Sequence, residues 1–201
     1  QAGGSIVGAV GVSVSGNSVI SGGISNAGLI SGTSGVAVTI GGAATTLVNA
    51  STGTVIGALN GNLNVTNSGL IDLETMSGGV TVVGSHVTSS ISGNFVQNST
   101  GTLTIGVNGT SGTGTVSGNF SSLTVGGIAI LNGGTVNVSM SNASAVQAGG
   151  TLTGVVSSTA NLLTATGLNI TDNSALVKFV YSTTSGRLDL EAVFNLSLIH
   201  I

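Results

Sequence analysis

Between residues 24 and 136 the chain repeats one short phrase: a strand-forming run, an Asn, a short turn containing Gly, and a second apolar residue. The copies are Ile24-Ser25-Asn26-Ala27-Gly28-Leu29-Ile30, Val48-Asn49-Ala50-Ser51-Thr52-Gly53-Thr54-Val55, Val65-Thr66-Asn67-Ser68-Gly69-Leu70-Ile71, Gln97-Asn98-Ser99-Thr100-Gly101-Thr102-Leu103 and Leu131-Asn132-Gly133-Gly134-Thr135-Val136. The recurring Gly falls at 28, 53, 69, 101 and 134, in steps of 25, 16, 32 and 33 residues. Imperfect periods of this size belong to stacked architectures, with insertions at the corners producing the scatter. One such unit cannot bury its apolar face alone. Stacking units builds a continuous narrow core.

The segments between the turns alternate with period 2, as in Val10-Gly11-Val12-Ser13-Val14, Leu63-Asn64-Val65, Val80-Thr81-Val82, Leu103-Thr104-Ile105-Gly106-Val107, Leu123-Thr124-Val125 and Val136-Asn137-Val138-Ser139-Met140. That period puts one face in and one face out of a strand. Gly22-Gly23, Gly41-Gly42, Asn60-Gly61, Gly78-Gly79, Gly126-Gly127 and Gly133-Gly134 read as turns. The expected fold is all-β, a right-handed parallel β-helix (β-solenoid) of nine or ten rungs at roughly 20 residues each, rather than a sandwich. Asn repeated at equivalent corners is expected to stack into a hydrogen-bonded ladder.

Composition excludes several classes. Charged residues make up 3% of the 201, and 35 are Gly. Disordered chains combine low hydrophobicity with high net charge, whereas this one is 40% hydrophobic with a net charge of -3. Two basic residues cannot supply the cationic surface that nucleic acid or an anionic membrane requires. Gly, Ser, Thr or Asn interrupts every apolar run before membrane-helix length, so no direct membrane insertion is expected. The absence of Cys removes disulfides and thiolate metal sites. It also suits a protein that crosses an oxidising compartment unfolded. The opening Gln1-Ala2-Gly3-Gly4-Ser5 lacks the charged start of a signal peptide, and the expectation is a chain cut from something longer.

Charge gathers near the C-terminus. Asp72 and Glu74 stand alone before Asp172, Lys178, Arg187, Asp189 and Glu191. Leu176 to Tyr181 and Arg187 to Phe194 read as an antiparallel hairpin around a five-residue loop, Ser182-Thr183-Thr184-Ser185-Gly186. Leu188, Leu190 and Phe194 share one face and Arg187, Asp189 and Glu191 the other, as a solvated, charged edge should. The chain divides into repeats over 1–167, a C-terminal hairpin cap over 168–194 and a tail over 195–201. That tail, ending Ser197-Leu198-Ile199-His200-Ile201, breaks the style of the rest and is expected to be non-native, so His200 carries no functional weight.

The repeats Ile24 to Ile30 and Val65 to Ile71, the Gly-Thr-Leu-Thr strands at Gly101 and Gly150, and Leu168-Asn169-Ile170-Thr171-Asp172-Asn173-Ser174-Ala175-Leu176-Val177-Lys178-Phe179 together resemble autotransporter passenger domains. These are the secreted parts of Gram-negative type V secretion proteins. The resemblance covers most of the chain, and the Asp-Asn-Ser-Ala block with its hairpin is its most specific part. It implies a right-handed β-solenoid passenger, extracellular and anchored at the cell surface by a C-terminal outer-membrane β-barrel translocator, itself absent from this sequence. An adhesin or structural stalk binding host or cell-surface ligands is the implied role.

Chemistry is sparse. Asp72 and Glu74, at i and i+2 on a strand, project to one face about 7 Å apart, a separation that suits an inverting glycosidase pair or half of a calcium site. The plainer reading is a solvated outer face opposite Ile71 and Leu73. His86 with Asp72 and some Ser makes at most an imagined triad, since no Gly-x-Ser-x-Gly elbow occurs, and a surface histidine is the simpler account. Lys178 and Arg187 are far from these acids in sequence. Gly112-Thr113-Gly114 is followed by Ser117 where a dinucleotide fingerprint needs Gly, and no phosphate loop occurs. Thr-x-Thr pairs starting at Thr52, Thr102, Thr113, Thr151 and Thr164 raise an ice-binding reading, against which their irregular steps count. The sequence therefore leads to a non-enzymatic module with no catalytic, cofactor or metal residue assigned. A β-solenoid enzyme acting on polysaccharide and an ice-binding solenoid remain the alternatives.

Overall fold

The computed structural model describes residues 3–108, 114–116, 119–142 and 146–195. Gly112-Thr113 and Ser117 of the Gly-x-Gly reading, and the tail from 196 with His200, lie outside the described residues. The described residues form strands and no helix. In chain order the strands are β1 Ser5–Val14, β2 Ile24–Asn26, β3 Leu29–Asn49, β4 Thr54–Asn67, β5 Leu70–Leu73, β6 Thr75–Ser77, β7 Val80–Val82, β8 Thr88–Ile91, β9 Phe95–Gln97 and β10 Thr102–Val107. They continue as β11 Gly114–Val116, β12 Ser122–Val125, β13 Ala129–Asn132, β14 Thr135–Met140, β15 Gly150–Ser158, β16 Leu163–Thr166, β17 Asn169–Asp172, β18 Val177–Thr184 and β19 Arg187–Phe194. Seventeen of them make one mostly parallel sheet, and β6 with β7 makes a separate antiparallel pair.

Register organises the sheet into three columns of parallel partners. The first runs Ile6, Ile30, Val55, Ile71, Leu103, Val136, Ile170. A second runs Val14, Ile40, Gly61, Ile91, Val125, Ser158, and a third Asn26, Asn49, Asn67, Gln97, Leu131, Ala165. The chain visits the columns in a fixed order on every pass. Ile30, Ile40, Leu47, Val55, Leu63, Ile71, Ile91, Phe95, Leu103, Val125, Leu131 and Val136 are buried together in one core. The small residues of the composition are what let passes approach closely enough to pair.

The repeated Gly residues sit one position before the strands of the first column. Leu29, Thr54, Leu70, Thr102, Thr135 and Asn169 donate their N–H groups to the carbonyls of Gly4, Gly28, Gly53, Gly69, Gly101 and Gly134, at 2.7 to 2.9 Å. A side chain at Gly28 would meet the Gly4 backbone, and one at Gly53 the Asn49 side chain and the Asn26 carbonyl. Close approach therefore demands Gly here. Other expected turns differ: Gly41-Gly42 lies inside β3 and Asn60-Gly61 inside β4.

The amide ladder exists and its fourth member differs from expectation. Asn26 Nδ2 donates to Asn49 Oδ1 at 2.8 Å, Asn49 Nδ2 to Asn67 Oδ1 at 2.9 Å, and Asn67 Nδ2 to Gln97 Oε1 at 3.5 Å. Each amide also donates to the first carbonyl of a strand in the first column: Asn26 to Thr54, Asn49 to Leu70, Asn67 to Thr102 and Gln97 to Thr135. Asn98 instead donates to Ser68 Oγ, and Asn132 is exposed.

At the C-terminal end, β18 and β19 form the antiparallel hairpin, and β19 pairs antiparallel with β15. The loop is two residues, not five. Thr184 pairs with Arg187 across Ser185 and Gly186, both at positive φ, the primed turn that matches strand twist. Leu188, Leu190 and Ala192 face the core, while Phe194 is 66% exposed and leaves the expected apolar face. Asp189 is buried, not solvated. Its Oδ1 accepts from Gly154 N at 2.7 Å, where β15 bulges, and its Oδ2 from Arg187 Nε at 3.1 Å.

Candidate functional site

The passes differ in length almost entirely in one arc, between the first column and the second. Six residues carry the chain from Val55 to Gly61, but twenty from Ile71 to Ile91, and twenty-two from Leu103 to Val125 and from Val136 to Ser158. The arc from the second column to the third is six residues from Gly61 to Asn67, from Ile91 to Gln97 and from Val125 to Leu131. In repeat proteins, insertions gathered on one side build a surface distinct from the scaffold. The first long arc touches the third, since a side chain added at Gly84 would strike Ser141.

At the root of the first long arc lies the Asp72–Glu74 pair. Alternation places both opposite Ile71 and Leu73, as expected, yet neither is solvated: Asp72 is 7% and Glu74 2% exposed. The arc itself supplies the cover. From Thr75 it forms the β6–β7 hairpin, turning through Gly78 and Gly79 at positive φ, and returns so that Gly84 N donates to Glu74 Oε1. Thr75 N donates to Ser85 Oγ at 2.7 Å, and Ser85 N to Val82 O at 2.9 Å. Thr81 hydrogen-bonds the Asp72 carboxyl and Ser139 that of Glu74.

Burial, reinforced by the Glu74 charge and a hydrogen bond to it, pushes the Asp72 carboxyl up to about 7. Burial raises Glu74 as well, opposed by its bonds to Ser139, Gly84 and Asp72. The two share a proton, with Asp72 the protonated partner. Asp72 Oδ1 has no hydrogen-bond partner, so ionising it would leave a buried charged oxygen unsatisfied.

The remaining sequence candidates do not converge on this pair. His86 is half-buried, with Nδ1 buried and unpartnered, and no group of three or more His, Cys, Asp or Glu residues that could hold a metal occurs among the described residues. Asp172 Oδ1 accepts from Ser174 N, within its own turn. Lys178 and Arg187 stand on the C-terminal hairpin. The Thr-x-Thr pairs are dispersed: Thr102 and Thr104 on the first column's strands, Thr164 and Thr166 on the third's, and Thr151 and Thr153 on β15. Alternation gave no sign of the cover over Asp72, because what buries it is the chain that follows.

The outer face of the third column is apolar and Thr-rich: Val48, Thr66, Val96, Ile130 and Thr164 are register partners, with Val48 and Ile130 exposed. Comparison of the chain with protein-family models, with curated proteins and with solved structures gave no match.

Proposed function

We propose that the chain is a right-handed parallel β-solenoid segment of an autotransporter-type passenger, displayed at the Gram-negative cell surface and acting as an adhesive module or stalk, not as an enzyme. The observation that supports this best is the division between a constant scaffold and one side where successive passes lengthen from six to about twenty residues. A spacer needs only the scaffold. The lengthened side gives an adhesin a surface that varies without disturbing the columns. With aromatics at 2% of the chain, binding there would rest on shape and on Ser, Thr and Asn hydrogen bonds.

The glycosidase reading is not favoured by the acid pair, because both carboxyls are enclosed and bonded to their own arc. Ice binding needs Thr residues on one lattice-like face, and here they lie on different strands of different columns. In this proposal the partner in secretion is a C-terminal outer-membrane β-barrel.

The test is surface display. The full-length gene is expressed on a Gram-negative host, and binding to extracellular matrix, to other cells and to abiotic surfaces is compared with a version in which residues 75–86 are replaced by a Gly-Asn turn. Loss of binding with retained display supports the adhesive surface. Equal binding by both versions rejects it, and glycan hydrolysis abolished by Asp72→Asn would reject the non-enzymatic reading.

A further inference from the structure

We propose that residues 75–86 form a flap latched over the Asp72–Glu74 pair, closed while the two carboxyls share a proton and released when both are ionised. The flap is built to move as a unit. Its β6–β7 pair has its own two-stranded ladder and no hydrogen-bonded strand pairing with the main sheet. Its attachment runs through the acids, with Gly84 N bonded to Glu74 and Thr81 to Asp72, so the groups that hold it down are those it hides. Val80, Val82 and Val83 on its outer side are exposed, and Met76 alone among its larger apolar side chains is buried.

The elements packed around the pair offer no compensating charge. Ile56 on β4 and Thr104 on β10 flank Asp72 in register, Ser139 on β14 reaches Glu74, and Thr81 comes from β7. None titrates. The flap's other titratable side chain is His86, at its C-terminal end. A second negative charge in this enclosure therefore has neither a cation nor a free N–H to meet it, and opening the flap to water is the relief.

The sign follows from linkage. Both carboxyls have raised affinity for protons when the flap is closed, and ordinary acidity, near 3.8 and 4.5, when it is open. Between about pH 5 and pH 7 the closed form holds one proton more than the open form, so the closed-to-open ratio falls about tenfold per pH unit. Above the Asp72 titration near 7 the first proton's contribution is exhausted and the ratio levels off.

The experiment is amide hydrogen exchange on the whole chain from pH 5 to pH 8, with each rate divided by the intrinsic chemical rate at that pH. Protection of the Thr75, Gly84 and Ser85 amides should fall about a hundredfold from pH 5 to pH 7, while the amides of β10 and β14 stay constant. Asp72→Asn should hold the flap at its low-pH protection throughout, and His86→Asn should leave the wild-type profile intact. A flat wild-type profile overturns the proposal even if Asp72→Asn fails to fold, as does a profile that survives Asp72→Asn or disappears in His86→Asn.

Discussion

Replacing Asn49 by Ala tests the amide ladder at its most connected rung. Asn49 is fully buried. Its Oδ1 accepts from Asn26, and its Nδ2 donates to Asn67 Oδ1 at 2.9 Å and Leu70 O at 3.0 Å, with a longer contact to Gly53 O at 3.3 Å. Three good hydrogen bonds at about 1 kcal/mol net each set the base cost. Some partners keep alternatives, since Asn26 Nδ2 still reaches Thr54 O and Asn67 Oδ1 still accepts from Gly69 N. Leu70 O loses its side-chain donor, adding about 1–2 kcal/mol for a buried acceptor left short. The total is a destabilisation of about 4 kcal/mol. Asn98→Ala, one strand end away but bonded outward to Ser68, should cost below about 1 kcal/mol.

Urea unfolding followed by circular dichroism measures both, with the slope checked because stacked arrays can lose two-state behaviour. Asn49→Asp adds a signed control. The carboxylate turns a donor into an acceptor facing Asn67 Oδ1 and Leu70 O, so this variant's folded-state carboxyl pKa is raised and its stability falls as pH rises from about 4 to 7. If Asn49→Ala lies within about 1 kcal/mol of Asn98→Ala, the ladder is ornamental and the reasoning fails.

Further outcomes follow from the same contacts. Gly53→Ala should cost about 1–3 kcal/mol through overpacking, because its Cβ meets Asn49 Oδ1 and the Asn26 carbonyl, read by the same urea titration; a neutral result would mean the passes can separate there. Asp189→Ala should cost about 2–3 kcal/mol, through a charged acceptor removed from Gly154 N, whereas Arg187→Ala, whose side chain is 44% exposed, should cost under about 1 kcal/mol; thermal melts giving equal losses would contradict this order. Deleting residues 168–194 uncovers β15, including Leu152 and Val156 opposite β19, and should reduce refolding yield and protease resistance more than an equal N-terminal deletion; equal damage would deny the hairpin its covering role.

What the sequence made legible was whatever depends on backbone approach. Gly28, Gly53, Gly69, Gly101 and Gly134 were visible as a repeat, and each occupies the same place before a first-column strand, because a Cβ there would strike the neighbouring pass. Side-chain parity was legible too, had it been applied to Gln97: Phe95 is buried, so Gln97 two residues on shares its inward face, whereas matching the letter Asn selected Asn98. Hidden features were those set by distant chain. Asp72 and Glu74 lie opposite Ile71 and Leu73 as alternation requires, but residues 75–86 then fold over them. Ser182, Thr183 and Thr184 look like loop residues and pair instead with Asp189, Leu188 and Arg187, since an extended partner strand outweighs weak local preference.

The ladder and the uneven arcs answer one problem. A period-2 strand can slip by one residue and turn its apolar set outward, and the danger grows where consecutive passes differ in length, as they do across the steps of 25, 16, 32 and 33 residues between the marker glycines. Apolar contacts resist such a slip weakly, because Val, Ile and Leu recur at every second position. Amides resist it strongly: Asn26, Asn49, Asn67 and Gln97 each bond across to a named carbonyl, Thr54, Leu70, Thr102 and Thr135, and a one-residue slip forfeits the set. Beyond Gln97 the same column continues as Leu131 and Ala165. There the first-column strands are again spaced 33 and 34 residues apart, Thr102 to Thr135 and Thr135 to Asn169. Nearly equal passes can hold register by shape alone, so the polar column stops where the length of the pass stops changing.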